Sequence, residues 1–171
     1  MPSQRRFLSL VAIAGALGLF AACGGEQEDG GHGQGTDAAA PGAMFEDCKD
    51  DPRVDAYVAG MQETSVAGRF LVKLLSSEPG PPTKGNNTWT IEVTDAAAAP
   101  QPGMSVVVDP FMPDHGHGTS VEAVVEPLGQ PGQYRLSPVN LFMDGVWEVR
   151  LLLSSPAGTQ DTATFNLCIA G

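Results

Sequence analysis

Basic residues are scarce in this sequence of 171 residues. Lysine and arginine together number 9, whereas aspartate and glutamate number 20, so the formal net charge at pH 7 is −11. An acidic chain repels phosphate backbones and anionic lipid headgroups. We therefore exclude nucleic acid as a partner, and the acidic excess is most simply a solvated surface.

The motifs of several common enzyme classes are missing. The sequence holds no GxSxG, HExxH, Walker loop or GxGxxG. Its carboxylates are dispersed, so no pair stands out for glycoside hydrolysis. Nothing in the sequence marks Ser120 or Ser137 as an activated nucleophile. We therefore predict that the chain is not an enzyme.

The one long apolar run, Phe7–Phe20, lies close to the N-terminus. It follows Arg5 and Arg6 and ends in two alanines and Cys23. The run is short for a membrane span of about 20 residues, and the pattern is typical of a secretory signal. The alternative, an ordinary transmembrane anchor, fits the small residues before the cysteine less well.

The end of this signal resembles a bacterial lipobox, with Phe20 at the position that is usually Leu. The resemblance implies that residues 1–22 are removed and that Cys23 carries lipid. The predicted location is therefore the bacterial cell envelope, with the protein held on a membrane by lipid and facing the periplasm or the exterior. Gly24 replaces the Asp that often retains such proteins at the inner membrane, which favours the outer membrane.

Residues 23–44 are mostly glycine, alanine and polar residues, and they predict a flexible linker in which His32 is solvated. Residues 45–171 then form one domain with one core. Only Cys48 and Cys168 remain as cysteines of this domain, 120 positions apart. In an oxidising compartment they predict a disulfide; free thiols or a metal pair are the alternatives, and no CxxC spacing supports the latter.

Short segments of alternating polarity, separated by Gly/Pro-rich turns, dominate the domain. They predict an immunoglobulin-like antiparallel β-sandwich of about seven strands. A short helical or irregular segment, Glu46–Met61, precedes them, and strand parity places Cys168 on the outer face of the last strand. The predicted strands are Arg69–Leu75, Asn87–Thr94, Met104–Asp109, Thr119–Glu126, Gln133–Leu136, Val146–Leu153 and Thr162–Ile169.

One segment, Phe111–Gly118, can carry chemistry. It holds His115 and His117 two positions apart, with Met112 three positions before the first. Imidazole and thioether are soft ligands that suit copper, and Met143 can supply a second thioether. Asp114 or Asp109 can add an oxygen ligand or orient an imidazole. The alternatives are zinc at the histidine pair, or an exposed turn beside two packing methionines.

The order of several short motifs resembles the YtkA-like domain, which belongs with FixH-type proteins. The matching segments are Asn87–Ile91, Met112–Gly118, Gly132–Tyr134, Met143–Trp147 and Asp161–Phe165. The resemblance implies an immunoglobulin-like sandwich outside the cytoplasm. FixH-type members are associated with assembly of copper-containing respiratory oxidases, so copper handling is the implied function. The FixH-type pattern has a membrane-spanning helix, which the lipid replaces here.

The leading hypothesis is a lipid-anchored envelope protein that binds copper and passes it to an envelope protein partner. His115 and His117 are the predicted primary ligands, and Met112 and Met143 the supplementary ones. The alternative is a β-sandwich without metal that serves as a structural or protein-interaction module of the envelope.

Overall fold

The computed structural model describes residues 48–171. This part begins with one 3-10 helix, Cys48–Asp50, and no helix in it is long and apolar enough to cross a membrane. Nine strands follow: β1 Met61–Thr64, β2 Phe70–Glu78, β3 Gly85–Asp95, β4 Ser105–Met112, β5 His117–Gly118, β6 Val124–Pro127, β7 Gln133–Leu141, β8 Gly145–Ser154 and β9 Gln160–Ile169. The predicted signal segment, Cys23 and the linker lie outside the described residues.

The strands form two antiparallel sheets. One has the order β1-β2-β3-β7-β6 and the other the order β5-β4-β8-β9. Without β1 and β5, this is the immunoglobulin arrangement of four strands facing three. The predicted all-β sandwich is therefore confirmed, with β1 and β5 each adding one edge strand.

The core lies between the two sheets because alternate residues of the central strands are large and apolar. Trp89 and Ile91 on β3 are fully buried, as are Trp147 and Leu151 on β8. The ring of Trp89 meets that of Phe165 on β9 edge to face, with 5.9 Å between the centroids. The alternation in the sequence therefore predicted the inner faces of these strands correctly.

The segment predicted as a single strand, Thr119–Glu126, is a strand only over its last three residues. Its last residues lie in β6, whereas residues 119–123 belong to no strand and connect β5 to β6. The Thr119 hydroxyl donates to the side-chain oxygen of Asn140 at 2.8 Å and accepts the backbone N–H of Val121 at 3.1 Å. A side chain that binds a nearby backbone N–H competes with the strand ladder, so the chain turns here.

The segment Glu46–Met61, predicted to be helical or irregular, is almost entirely irregular where the structure describes it. Helical geometry is confined to the turn Cys48–Asp50. The Asp51 carboxylate accepts the backbone N–H of Arg53 at 2.8 Å, which forms a local turn in place of a helix. The sequence signal for a helix start, an acidic residue before Pro52, therefore marks a turn.

The N-terminal segment instead runs along the free edge of β9. Sγ of Cys48 lies 1.92 Å from Sγ of Cys168, at disulfide-bonding distance, on the outer face of β9 as predicted. Further along, the backbone N–H of Asp55 donates to the carbonyl oxygen of Asn166 at 2.8 Å. The segment thereby covers an edge that would otherwise present unpaired backbone groups.

A carboxylate at the other end of β9 ties that strand to the turn between β1 and β2. Burial opposes ionisation of Asp161, but the hydroxyl and amide groups that donate to it prevail and lower its pKa to about 2. The donors are the hydroxyl of Ser65, at 2.7 Å, and the backbone amides of Ala67, Arg69 and Thr162. The ionised form of Asp161 therefore stabilises the fold.

Asp161→Asn is expected to lower the free energy of unfolding at pH 7 by about 1–2 kcal/mol. Because the folded pKa lies below the unfolded value of about 3.9, the stabilisation is complete above that value and is lost as the pH falls towards 2. Urea unfolding at pH 7 and pH 2 measures this, with exposed Glu122→Gln as the charge-matched control. An equal loss at both pH values would contradict the assignment.

Candidate metal site

The histidine segment folds as a tight hairpin at one edge of the four-stranded sheet. β4 and β5 pair with Met112 opposite His117 and Phe111 opposite Gly118. The backbone N–H groups of His115 and Gly116 both donate to the carbonyl oxygen of Met112, at 3.2 and 2.9 Å. Gly116 has a φ of +69°, which only glycine adopts without strain. The turn therefore brings the two histidines back beside the end of β4.

The two imidazoles lie next to each other and are both exposed. Their ring centroids are 5.6 Å apart. A metal bound to an imidazole nitrogen lies about 2.0–2.1 Å from it, hence about 3.2 Å from the ring centroid. Two imidazoles that share one ion therefore have centroids up to about 6.4 Å apart. The observed separation falls within this limit.

The loop between β7 and β8 supplies an aromatic side chain to the hairpin. Phe142, which is 40% exposed, stacks on His117 with 5.8 Å between the centroids. Phe142 also contacts the buried ring of Trp147, with 5.6 Å between the centroids and the two rings nearly perpendicular. The histidine pair is thus connected to the core by a continuous aromatic contact, which the sequence analysis did not predict.

The two predicted thioether residues differ in their access to solvent. Met112 is 1% exposed and belongs to the core, although its position opposite His117 places both side chains on the same face of the sheet. Met143 is half-buried against the core, and its carbonyl oxygen accepts the indole N–H of Trp147 at 3.0 Å. Met143 follows Phe142, so the β7–β8 loop carries both the stacking ring and a thioether.

Arginine side chains hold both carboxylates that were candidate oxygen ligands. Asp114 forms two hydrogen bonds of 2.8 Å with Arg53, and Asp109 lies 3.7 Å from the guanidinium of Arg150. The hydrogen bond from Arg53 is the main reason that the pKa of Asp114 lies below its ordinary value. Asp114 is therefore occupied by Arg53, whereas the pairing of Asp109 is looser, since 3.7 Å exceeds hydrogen-bond distance.

A third carboxylate near His115 is paired as well. Asp144 of the β7–β8 loop lies 3.1 Å from the ammonium group of Lys84, and this hydrogen bond is the main cause of its lowered pKa. Within residues 48–171, no three or more histidine, cysteine, aspartate or glutamate side chains cluster as a metal-binding group. A metal at this hairpin would thus depend on imidazole and thioether donors.

One family model, described as YtkA-like, matches residues 67–151. A YtkA-like domain spans these residues. No curated protein and no solved structure matches the chain. The YtkA-like domain includes the histidine hairpin and the β7–β8 loop, whereas Arg53, both paired cysteines and β9 lie outside the matched residues.

The hairpin requires glycine at position 118. A Cβ there would overlap the carbonyl oxygen of Pro110, because β5 approaches β4 at this residue. Gly118→Ala is expected to displace β5 and to lower the free energy of unfolding by about 1–3 kcal/mol. Urea unfolding and the NMR signals of the His117 ring measure the two effects.

Gly129→Ala is the control for that substitution, because no atom lies within 4 Å of its added Cβ. It is expected to change stability by less than about 0.5 kcal/mol and to leave the His117 signals unmoved. The same small effect for Gly118→Ala would show that the close approach of β5 does not hold the hairpin.

Proposed function

We propose that this chain is a lipid-anchored protein of the bacterial envelope that binds copper at the histidine hairpin of its YtkA-like domain. His115 and His117 are the primary ligands in this proposal, and Met143 and Met112 are the supplementary ones. The observation that carries it is the 5.6 Å separation of two exposed imidazole centroids, a spacing at which one ion can contact both. In this proposal the domain handles copper, as FixH-type proteins do.

The chemistry of the donors supports copper over harder cations. Imidazole suits both copper and zinc, whereas thioether selects copper, above all Cu(I). Half-buried Met143 is the more accessible thioether, and it adjoins the ring that stacks on His117. The two imidazoles lie at an exposed edge, where ligand exchange with an envelope protein partner does not require opening the core, whereas Met112 would join the site only by leaving the core.

The lipid anchor is proposed from residues 1–23, and it has its own test. Labelling of cells with a radioactive fatty acid should mark the wild-type chain and should not mark Cys23→Ser. Label on both chains would remove the anchor from the proposal and would leave the metal site untouched.

The test of the metal site is competition titration of the purified full chain, in detergent, with Cu(I), Cu(II) and Zn(II). One equivalent of Cu(I) should bind more tightly than Zn(II), with a ligand set of nitrogen and sulfur in X-ray absorption. Failure to bind copper in either oxidation state would contradict the proposal. It would favour an interaction module, for which the exposed ring of Phe142 is the specific observation.

A further inference from the structure

Arg53 is held in place from the N-terminal side by a buried carboxylate. The side chain of Asp51 is 1% exposed. Its carboxylate accepts hydrogen bonds from Nε of Arg53, at 2.9 Å, and from Nη2, at 2.5 Å. The same carboxylate accepts the backbone N–H of Arg53 at 2.8 Å. The Cys48–Cys168 link lies just before this pair in the chain. The contacts with Asp51 therefore fix the orientation of the guanidinium independently of the hairpin.

The other side of the guanidinium engages the hairpin. Nη1 and Nη2 of Arg53 donate to the two carboxylate oxygens of Asp114, each at 2.8 Å. This is the bidentate geometry in which arginine binds carboxylates most specifically. Asp114 directly precedes His115, so it is the carboxylate nearest in the chain to the imidazole pair. Both of its oxygens are directed at Arg53.

We propose that Arg53 sets the metal preference of the hairpin by keeping the Asp114 carboxylate out of the coordination shell. This inference rests on the proposed function. With Asp114 paired, the donors left at the hairpin are neutral imidazole and thioether, which favour a soft monovalent ion. A carboxylate oxygen is instead a regular ligand of Zn²⁺. Arg53 is thus a specificity-determining residue that need not touch the metal.

The experiment compares Zn(II) and Cu(I) affinities of the full chain and of Arg53→Gln. Release of Asp114 should raise Zn(II) affinity about tenfold, the size of effect that residues next to metal ligands typically have. Cu(I) affinity should change by less than about threefold, because its neutral donors are retained. Zinc X-ray absorption should show one additional oxygen ligand in Arg53→Gln.

Three further variants separate the causes. Arg69→Gln removes the same charge at the β9 end remote from the hairpin, where Arg69 donates to the Gln160 carbonyl, and it should leave both affinities unchanged. Adding Asp114→Asn to Arg53→Gln should return Zn(II) affinity to the wild-type value. Asp114→Asn alone should leave both affinities unchanged, which also tests the inference if Arg53→Gln does not fold.

The outcomes distinguish this inference from the function on which it rests. If wild type binds copper but Arg53→Gln has the wild-type ratio of Zn(II) to Cu(I) affinity, only the inference is overturned. An equal gain in Arg69→Gln would assign the effect to net charge and would also overturn it. Loss of Zn(II) binding in Asp114→Asn alone would show that Asp114 is already a ligand. If wild type binds neither metal, the proposed function itself fails.

Discussion

Replacing His115 and His117 together by alanine is expected to lower Cu(I) affinity by at least about 100-fold. Loss of a hydrogen-bond partner behind a ligand already costs about 10–100-fold in metal affinity, so loss of both primary ligands should cost at least the upper figure. The remaining thioethers cannot compensate, because Met112 is 1% exposed and Met143 is half-buried. Competition titration with a Cu(I) chelator measures the change.

The same double variant is expected to unfold almost as the wild type does. Both imidazoles are exposed and β5 is an edge strand of two residues, so their loss should change stability by less than about 0.5 kcal/mol each. The third histidine of the chain, His32, provides the control, and His32→Ala should bind copper as wild type does. Equal copper affinity in the double variant would remove the site assignment.

Much of the fold can be predicted from the sequence, because burial on one face of a sheet imposes alternation. Asn87–Thr94 and Val146–Leu153 alternate cleanly, and they became parts of β3 and β8 with Trp89 and Trp147 in the core. Short edge strands are less predictable. β5 has two residues, His117 and Gly118, and its position depends on pairing with β4 and not on a pattern of its own.

The candidate site was predictable only where neighbours in the sequence are neighbours in space. The histidine pair satisfies this condition, since one turn brings both rings together. Arg53 and Asp114 are 61 positions apart, and their contact requires the path that the N-terminal segment takes along β9. No local pattern reports such a path. Phe142 was missed for the same reason, although its position next to Met143 was a usable signal.

Removal of the Cys48–Cys168 link is expected to have the largest effect on stability. The two cysteines are 120 positions apart, and closing so long a loop stabilises the folded state by about 4–5 kcal/mol in the chain-entropy treatment, with measured losses typically 2–5 kcal/mol. The double variant Cys48→Ala/Cys168→Ala should therefore unfold at much lower urea concentration. Its N-terminal segment keeps the backbone contact between Asp55 and Asn166, so the sandwich itself should still form.

Urea unfolding with and without a reductant separates this link from the third cysteine. Reduction should destabilise wild type and Cys23→Ser equally and should leave Cys48→Ala/Cys168→Ala unchanged. Because Asp51 and Arg53 follow Cys48 closely, the double variant should also hold Asp114 less firmly and move towards the metal preference of Arg53→Gln. A wild-type midpoint that does not respond to reductant would show that the pair contributes nothing to stability, and the N-terminal segment would then be held by its hydrogen bonds alone.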